Sequence, residues 1–243
     1  MPAGGILTGV TNLILFIILV LARRLISKES INYFLISRPQ KRWKLFWEGC
    51  LAGFILIIIY VLLTILFGVG ELTFKLNLSL DFIFVLLSYV FGFAAVSLFE
   101  ESLFRDYILL KVKKKFSAPD AVFLSSLLFS LVHIISYASI GTLAVMGLFN
   151  AFIIGFILSI IVISTRSIMW PLGYHLVWNL TQTIFLVERS SGINLEIDKG
   201  ILAGAKLVPE AGIIVTLVLI ILAVYMLKRF DCAHIMPNSI GKG

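Results

Sequence analysis

Six polar side chains lie within three otherwise apolar stretches of this sequence, and their types suit hydrolysis. They are Glu100, Glu101, Arg105, His133, His175 and Asn179. If they meet, a carboxylate, two imidazoles and an amide can bind and activate a water molecule and stabilise an oxyanion. The residue types therefore favour a reaction in which water attacks a carbonyl group.

Helical spacing assigns different tasks to these side chains. Residues four apart lie on one face of a helix, so Glu101 can pair with Arg105 and neutralise a charge that is unfavourable in an apolar setting. Glu100 points about 100° away from that face and stays free for chemistry. His175 and Asn179 are also four residues apart and can address a single point.

Each of these features also has a simpler structural explanation. A Glu-Glu pair near the end of an apolar stretch can be an interfacial charge cluster, a lone histidine can be a hydrogen-bonded packing residue, and Arg105 can be a cytoplasmic anchor. Asn150, in another apolar stretch, is expected to make a packing contact. Depth favours a common site, because Glu100, His133 and His175 lie about 16, 20 and 14 Å from their cytoplasmic boundaries at about 1.5 Å per helical residue.

The composition indicates a membrane protein. Of the 243 residues, 60% are hydrophobic and 14% are charged, and the mean hydropathy is +1.08. This leaves too little polar surface to cover a water-soluble globule, which excludes a soluble enzyme, a nucleic-acid-binding domain and a disordered regulator despite the net charge of +7. The two cysteines, Cys50 and Cys232, build no disulfide framework and have no metal-binding spacing.

The apolar stretches predict an all-α fold, a polytopic transmembrane helical bundle of about seven spans. A helix needs about 20 apolar residues to cross the hydrocarbon core. The candidate ranges are 5–22, 46–68, 80–104, 120–137, 141–164, 168–187 and 210–227. The first has basic residues directly behind it and no cleavage site, so we interpret it as a retained span rather than a signal peptide.

Basic residues predict the orientation of the bundle. Residues 23–44, residues 105–115, Arg166 and the tail after 227 hold sixteen of the 20 Lys and Arg residues. Because cytoplasmic connections are enriched in Lys and Arg, the N-terminus is expected outside and the C-terminus in the cytoplasm. The other four basic residues lie on the outer side, three of them within the polar stretch 188–209, which is expected to be an external loop.

Small-residue spacing at Gly49 and Gly53 is compatible with a dimer face or with close helix packing inside one bundle, and we favour packing. The oligomeric state stays open.

Three motifs in this order resemble the pattern of the CPBP family of intramembrane proteases, which covers CAAX proteases and bacteriocin-processing (Abi) proteins. The family pattern is EExxxR, FxxxH and HxxxN. The chain carries it as Glu100-Glu101-xxx-Arg105, Phe129-xxx-His133 and His175-xxx-Asn179, each in a separate predicted span. The resemblance covers roughly residues 85–215, and the stretch from Trp170 to Asn179 looks like the bacterial branch.

The resemblance implies a membrane metalloendopeptidase that cuts a peptide bond within or near the bilayer. Glu100 would be the general base, with Glu101 and Arg105 as its supporting pair, and His133 would be a water or metal ligand beside the apolar Phe129. His175 and Asn179 would hold the water, a metal or the oxyanion. Zinc would be held by Glu100, His133 and His175. A metal-free mechanism, with Glu100 and His133 polarising water, stays open.

The resemblance divides the chain into N-terminal spans with a basic cytoplasmic loop (1–79), a catalytic membrane core (80–227) and a cytoplasmic tail (228–243). The expected partners are the lipid bilayer and a membrane-associated peptide or protein substrate, without nucleic acid, and the expected location is a bacterial plasma membrane. Two other functions fit the same residues. One is a non-catalytic immunity or scaffold protein, and the other is a proton-coupled transporter, since buried Glu and His also build proton relays.

Overall fold

The computed structural model of the protein describes residues 2–26, 28, 39–74, 79–186, 193–197, 200–205 and 208–229. Within them lie nine α-helices: α1 (Pro2–Leu25), α2 (Pro39–Leu66), α3 (Leu80–Glu101), α4 (Leu109–Lys113), α5 (Ala118–Val132), α6 (Ile134–Tyr137), α7 (Leu143–Thr165), α8 (Met169–Leu186) and α9 (Ile213–Arg229). The all-α prediction is confirmed. The predictions for Cys232, for residues 29–38 of the basic loop, for the four outer-side basic residues and for residues 230–243 of the tail lie outside the described residues.

Among the described residues, four helices are long and apolar enough to cross a membrane. They are Gly4–Leu25, Arg42–Leu66, Leu80–Lys113 and Leu143–Thr165. A fifth span results if α5 and its continuation Ile134–Ile140, bent by 45°, are counted together. The last two predicted ranges correspond to α8 and α9, which have 18 and 17 residues, and α9 ends two residues beyond the predicted range. The protein is an integral membrane protein, and the predictions of seven spans and of the side of each terminus stay predictions.

A two-stranded antiparallel sheet interrupts the helical pattern. Strand β1 (Gly70–Phe74) pairs with β2 (Ile193–Ile197), and Leu72 faces Leu195 across the ladder. β2 lies in the stretch where the sequence predicted an external loop. Its side chains alternate in burial, with Leu195 buried and Glu196 exposed. This period of two is typical of a half-buried strand, and it is short enough to be missed among polar residues.

Glycines allow α2 and α8 to pack with their backbones in close contact. A Cβ atom on Gly49 would lie 2.1 Å from the carbonyl oxygen of Trp170, and one on Gly173 would lie 2.1 Å from the carbonyl oxygen of Phe46. Gly53 lies one turn further along the same crossing, against Tyr174. The interpretation of Gly49 and Gly53 as packing residues is confirmed, because their contacts lie within one chain.

The N-terminal helix α1 lies along α3 and is fixed to the segment that follows it. At one end a Cβ on Gly92 would lie 2.7 Å from the carbonyl oxygen of Gly5. At the other end, Arg23 forms a buried ion pair with Asp106, with the nitrogen and oxygen 2.5 Å apart. The N-terminal part of the chain therefore packs against the helix that carries the Glu-Glu pair.

Large apolar side chains cover the outer surface of the bundle as well as its core, as expected for a protein in a membrane. Large apolar side chains such as Leu7, Leu62 and Phe84 are exposed, which suits contact with lipid tails. The main core lies between α2, α7, α8 and α9 and includes Tyr60 and Trp170. This core holds α8, which carries His175 and Asn179, against the rest of the bundle.

Candidate active site

The two glutamates lie at the end of α3, where the helix changes its winding. A seven-residue π-helical segment, Ser102–Ile108, follows Glu101 and carries Arg105. The side chains of Glu101 and Arg105 are fully buried, and Arg105 Nη1 donates to Glu101 Oε1 at 3.0 Å. π-Helical turns are rare and occur frequently at functional sites. Helical periodicity did not predict this winding, but the expected ion pair forms across its first turn.

Phe129 covers this ion pair. The guanidinium carbon of Arg105 lies 4.0 Å from the centre of the Phe129 ring, a distance at which the aromatic face attracts a cation. The same ring lies 4.8 Å from the His133 ring and 6.5 Å from the His175 ring, measured between centres. Phe129 is therefore close to the arginine and to both histidines, and its role goes beyond an apolar wall.

Glu101 also orients His175. Its Oε1 atom lies 3.0 Å from His175 Nδ1. Since an ionised carboxylate only accepts hydrogen bonds, Nδ1 carries the proton and donates. A carboxylate that binds one ring nitrogen fixes the orientation of the imidazole and makes the other nitrogen available. The helix end of α3 thus determines which atom of His175 faces the remaining carboxylate.

That remaining carboxylate is Glu100. Its Oε2 atom lies 3.8 Å from His175 Nε2, which is too long for a direct hydrogen bond. No group in the described part of the chain hydrogen-bonds this oxygen. The Glu100 side chain is 21% exposed, against 0% for Glu101. The two adjacent glutamates therefore differ as helical spacing predicts, because Glu101 is held in a network and Glu100 is partly exposed.

His133 lies at a break that the sequence did not predict. The expected span 120–137 is interrupted, because α5 ends at Val132 and the chain bends by 45° before α6. The His133 ring donates through Nδ1 to the carbonyl oxygen of Phe129 at 2.7 Å. This hydrogen bond leaves Nε2 as an acceptor.

A cavity of about 80 Å³ is lined by four of the seven predicted site residues, Phe129, His133, His175 and Asn179. Phe129 and Trp178 form part of its apolar wall, and its polar lining includes His133, Tyr137, Asn150, Tyr174, His175, Asn179 and Glu210. One water molecule needs about 10–15 Å³ on this measure, so the cavity can hold several. Glu100 and Glu101 are not part of the lining, but both lie close to His175, which is. The structure thus brings all seven predicted residues into one neighbourhood.

Sequence reasoning missed Glu210. It lies in the 3-10 turn Pro209–Ala211 before α9, and its carboxylate accepts hydrogen bonds from Trp178 Nε1 at 3.0 Å and Gln182 Nε2 at 3.3 Å. Asn150, expected to be a packing residue, donates to the backbone carbonyl of Glu210 at 2.6 Å and also lines the cavity. The available signal was an acidic residue at the very start of the last apolar stretch.

The residues predicted to bind zinc do not form a three-ligand site as they are arranged. In the described ranges, no three side chains of His, Cys, Asp or Glu lie close enough together to hold a metal ion. Glu100 and His175 approach each other. Nδ1 of His175 donates to Glu101 and Nδ1 of His133 donates to Phe129, so Nε2 of each histidine stays available. Zinc stays a prediction of the resemblance.

Comparison with known proteins identifies the central region. The family model described as type II CAAX prenyl endopeptidase Rce1-like matches residues 82–181. The matched range contains all seven predicted site residues. No curated protein and no solved structure matches the chain. Residues 82–181 are therefore similar to the type II CAAX prenyl endopeptidases that this family model describes.

Proposed function

We propose that this protein hydrolyses a peptide bond of a membrane-associated peptide or protein, with Glu100 as the base that activates water. One observation carries the proposal. Glu101 Oε1 receives both Arg105 Nη1 and His175 Nδ1 at 3.0 Å, while Glu100 Oε2 lies 3.8 Å from His175 Nε2. A water molecule between those two atoms would donate one hydrogen to each of them.

The reaction begins when the peptide carbonyl reaches this water. The water oxygen forms a bond to the carbonyl carbon, and Glu100 takes the proton that the water loses. The negative charge moves to the carbonyl oxygen, where the amide N–H of Asn179 is suited to stabilise it. The C–N bond then breaks as Glu100 returns the proton to the leaving nitrogen, which yields a carboxylic acid and an amine.

The remaining groups position these reactants. Arg105 pairs with the buried Glu101 carboxylate, and Glu101 keeps Nε2 of His175 directed to the water. His133 presents Nε2 as an acceptor, which suits a hydrogen of the water or of the substrate amide. The low exposure of these side chains strengthens each electrostatic contact because little bulk water competes.

A cleavage assay in liposomes tests the proposed function. Purified protein and a membrane-anchored peptide are incubated in water enriched in oxygen-18, and mass spectrometry follows the products. We expect a new amine terminus and one oxygen-18 atom in the new carboxylate with the wild type, and at least about a hundredfold less of both with His133→Ala. Equal cleavage by wild type and a folded His133→Ala variant would contradict the proposal.

The two alternative functions make different predictions. If the protein is a non-catalytic immunity or scaffold protein, Glu100→Gln and His133→Ala should keep the wild-type phenotype in cells. If it is a proton-coupled transporter, a pH gradient should drive solute flux in the same liposomes. Localisation in a bacterial plasma membrane, which the basic connections and the stretch from Trp170 to Asn179 support, is part of the proposal.

A further inference from the structure

Glu210 lies where two cavities meet. A second, wider cavity of about 380 Å³ adjoins the site near the C-terminal end of α8. The two cavities share Tyr137, Asn179 and Glu210. A peptide that reaches the site through the wider cavity would therefore pass the Glu210 carboxylate.

The position of this carboxylate is fixed on three sides. Trp178 and Gln182 hold its two oxygens, and Asn150 holds its backbone carbonyl. A carboxylate has about four acceptor positions, so two hydrogen bonds leave capacity for further donors. The Glu210 carboxylate is therefore held in a defined position and can still accept further hydrogen bonds.

The described residues that surround Glu210, which line the two cavities, include no lysine or arginine. The two histidines of the lining belong to the catalytic arrangement, and Trp178, Gln182 and Asn150 are neutral donors. A carboxylate in a largely apolar cavity gains most from a cation that arrives with the ligand.

The distance along α8 from His175 to Gln182, which binds Glu210, indicates how far Glu210 lies from the bond that is cut. One face of α8 carries four of the side chains that line the two cavities. Trp178, Asn179 and Gln182 follow His175 by three, four and seven residues, which is the spacing of neighbours on one side of a helix. From His175 to Gln182 the helix rises about 10 Å. An extended peptide covers about 3.3 Å per residue, so this distance equals about three substrate residues.

Building on the proposed peptidase function, we infer that Glu210 is a substrate-binding subsite for a positively charged Lys or Arg side chain about three residues from the cleaved bond. The protein would then select cationic peptides.

Matched substrates test this inference in the wild-type protein. Membrane-anchored, N-acetylated peptides carry a single Lys or its neutral counterpart Gln at positions one to five from the cleaved bond, and kcat/KM is measured for each in liposomes. Acetylation removes the α-amine as a competing source of positive charge. We expect Lys to exceed Gln by about tenfold at the third position or one beside it, and by little elsewhere. Equal rates for Lys and Gln at every position would overturn the inference.

Variants separate the charge of Glu210 from its structural hydrogen bonds. In Glu210→Gln, a side-chain oxygen still accepts from Trp178, but the negative charge is lost. We expect the Lys-to-Gln ratio of kcat/KM to fall to about one in this variant. Glu196→Gln, which removes an exposed charge on β2, should keep the wild-type ratio. A preference for Lys that survives in Glu210→Gln would overturn the inference.

The same assay distinguishes failure of the subsite from failure of the peptidase. If Gln and Lys peptides are cleaved equally and cleavage is lost in Glu100→Gln, the peptidase stands and the subsite is refuted. If the wild type cleaves no peptide of either series, the proposed function itself fails, and the subsite fails with it.

Discussion

Glu101 and His175 are 74 residues apart in the sequence, yet Oε1 of the first lies 3.0 Å from Nδ1 of the second. This contact joins the end of α3 to the middle of α8. Because Arg105 Nη1 binds the same oxygen, one atom connects two of the three motifs. The remaining motif, Phe129-xxx-His133, adjoins them through Phe129, whose ring lies near Arg105 and both histidines.

Replacing Glu101 by Gln should affect both stability and turnover. Gln keeps the shape of the side chain but leaves Arg105, which is 0% exposed, without a negative partner. Removing one partner of a buried ion pair costs about 3–5 kcal/mol of unfolding free energy. Loss of the orienting carboxylate should lower the cleavage rate about 10- to 100-fold. Thermal unfolding and turnover in detergent measure the two effects, with Glu196→Gln as the control. Wild-type values for both quantities would contradict this role of Glu101.

The buried pair of Arg23 and Asp106 should fix α1 to the π-helical segment. Their side chains are 3% and 0% exposed. Arg23→Met alone or Asp106→Leu alone removes one partner of this buried ion pair, and each should lower the unfolding free energy by about 3–5 kcal/mol. The double variant Arg23→Met/Asp106→Leu removes both charges and should be more stable than either single variant. A double variant whose loss equals the sum of the two single losses would show that the residues do not interact.

Close backbone contact between α2 and α8 should make the crossing glycines sensitive to a single methyl group. A Cβ on Gly49 would lie 2.1 Å from a backbone oxygen, whereas one on Gly200 would meet nothing within 4 Å. Gly49→Ala should therefore force the helices apart and reduce the unfolding free energy by about 1–3 kcal/mol or more. Gly200→Ala serves as the control in the same thermal unfolding measurement. Similar melting temperatures for both variants would argue against this crossing.

Chelation should leave the cleavage rate largely unchanged. Glu100 and His175 supply two ligand atoms near each other, but in the described part of the chain no third His, Cys, Asp or Glu completes the set. Purified protein treated with a strong zinc chelator is assayed for cleavage, and its zinc content is measured by elemental analysis. Loss of activity that is restored by zinc, together with one zinc ion per chain, would favour the metal site that the family resemblance predicts.

The local geometry of the site followed from the sequence because helical periodicity is a local rule. The i,i+4 spacing predicted the ion pair of Glu101 with Arg105 and the different exposure of Glu100. Apolar length predicted the helical bundle, and the glycine spacing predicted close packing of α2. These properties depend on residues within a few turns of one another.

Other features depend on contacts between distant parts of the chain. The break at His133 and the π-helical turn at Arg105 alter helical hydrogen bonding inside apolar runs that carry no Gly or Pro at the point of change. The pairing of β1 with β2 joins segments more than a hundred residues apart. Glu210 belongs to the site only because Trp178, Gln182 and Asn150 surround it. Helical periodicity and apolar length contain no information on such contacts.

The base role of Glu100 is the central claim, and the single-turnover cleavage rate of Glu100→Gln tests it most directly. The amide keeps the size of the side chain and its place beside His175 but cannot accept the proton of the attacking water. With a membrane-anchored peptide in liposomes, we predict a rate at least about a hundredfold below that of the wild type, with peptide affinity and melting temperature unchanged. A rate within a few-fold of the wild type would contradict the mechanism.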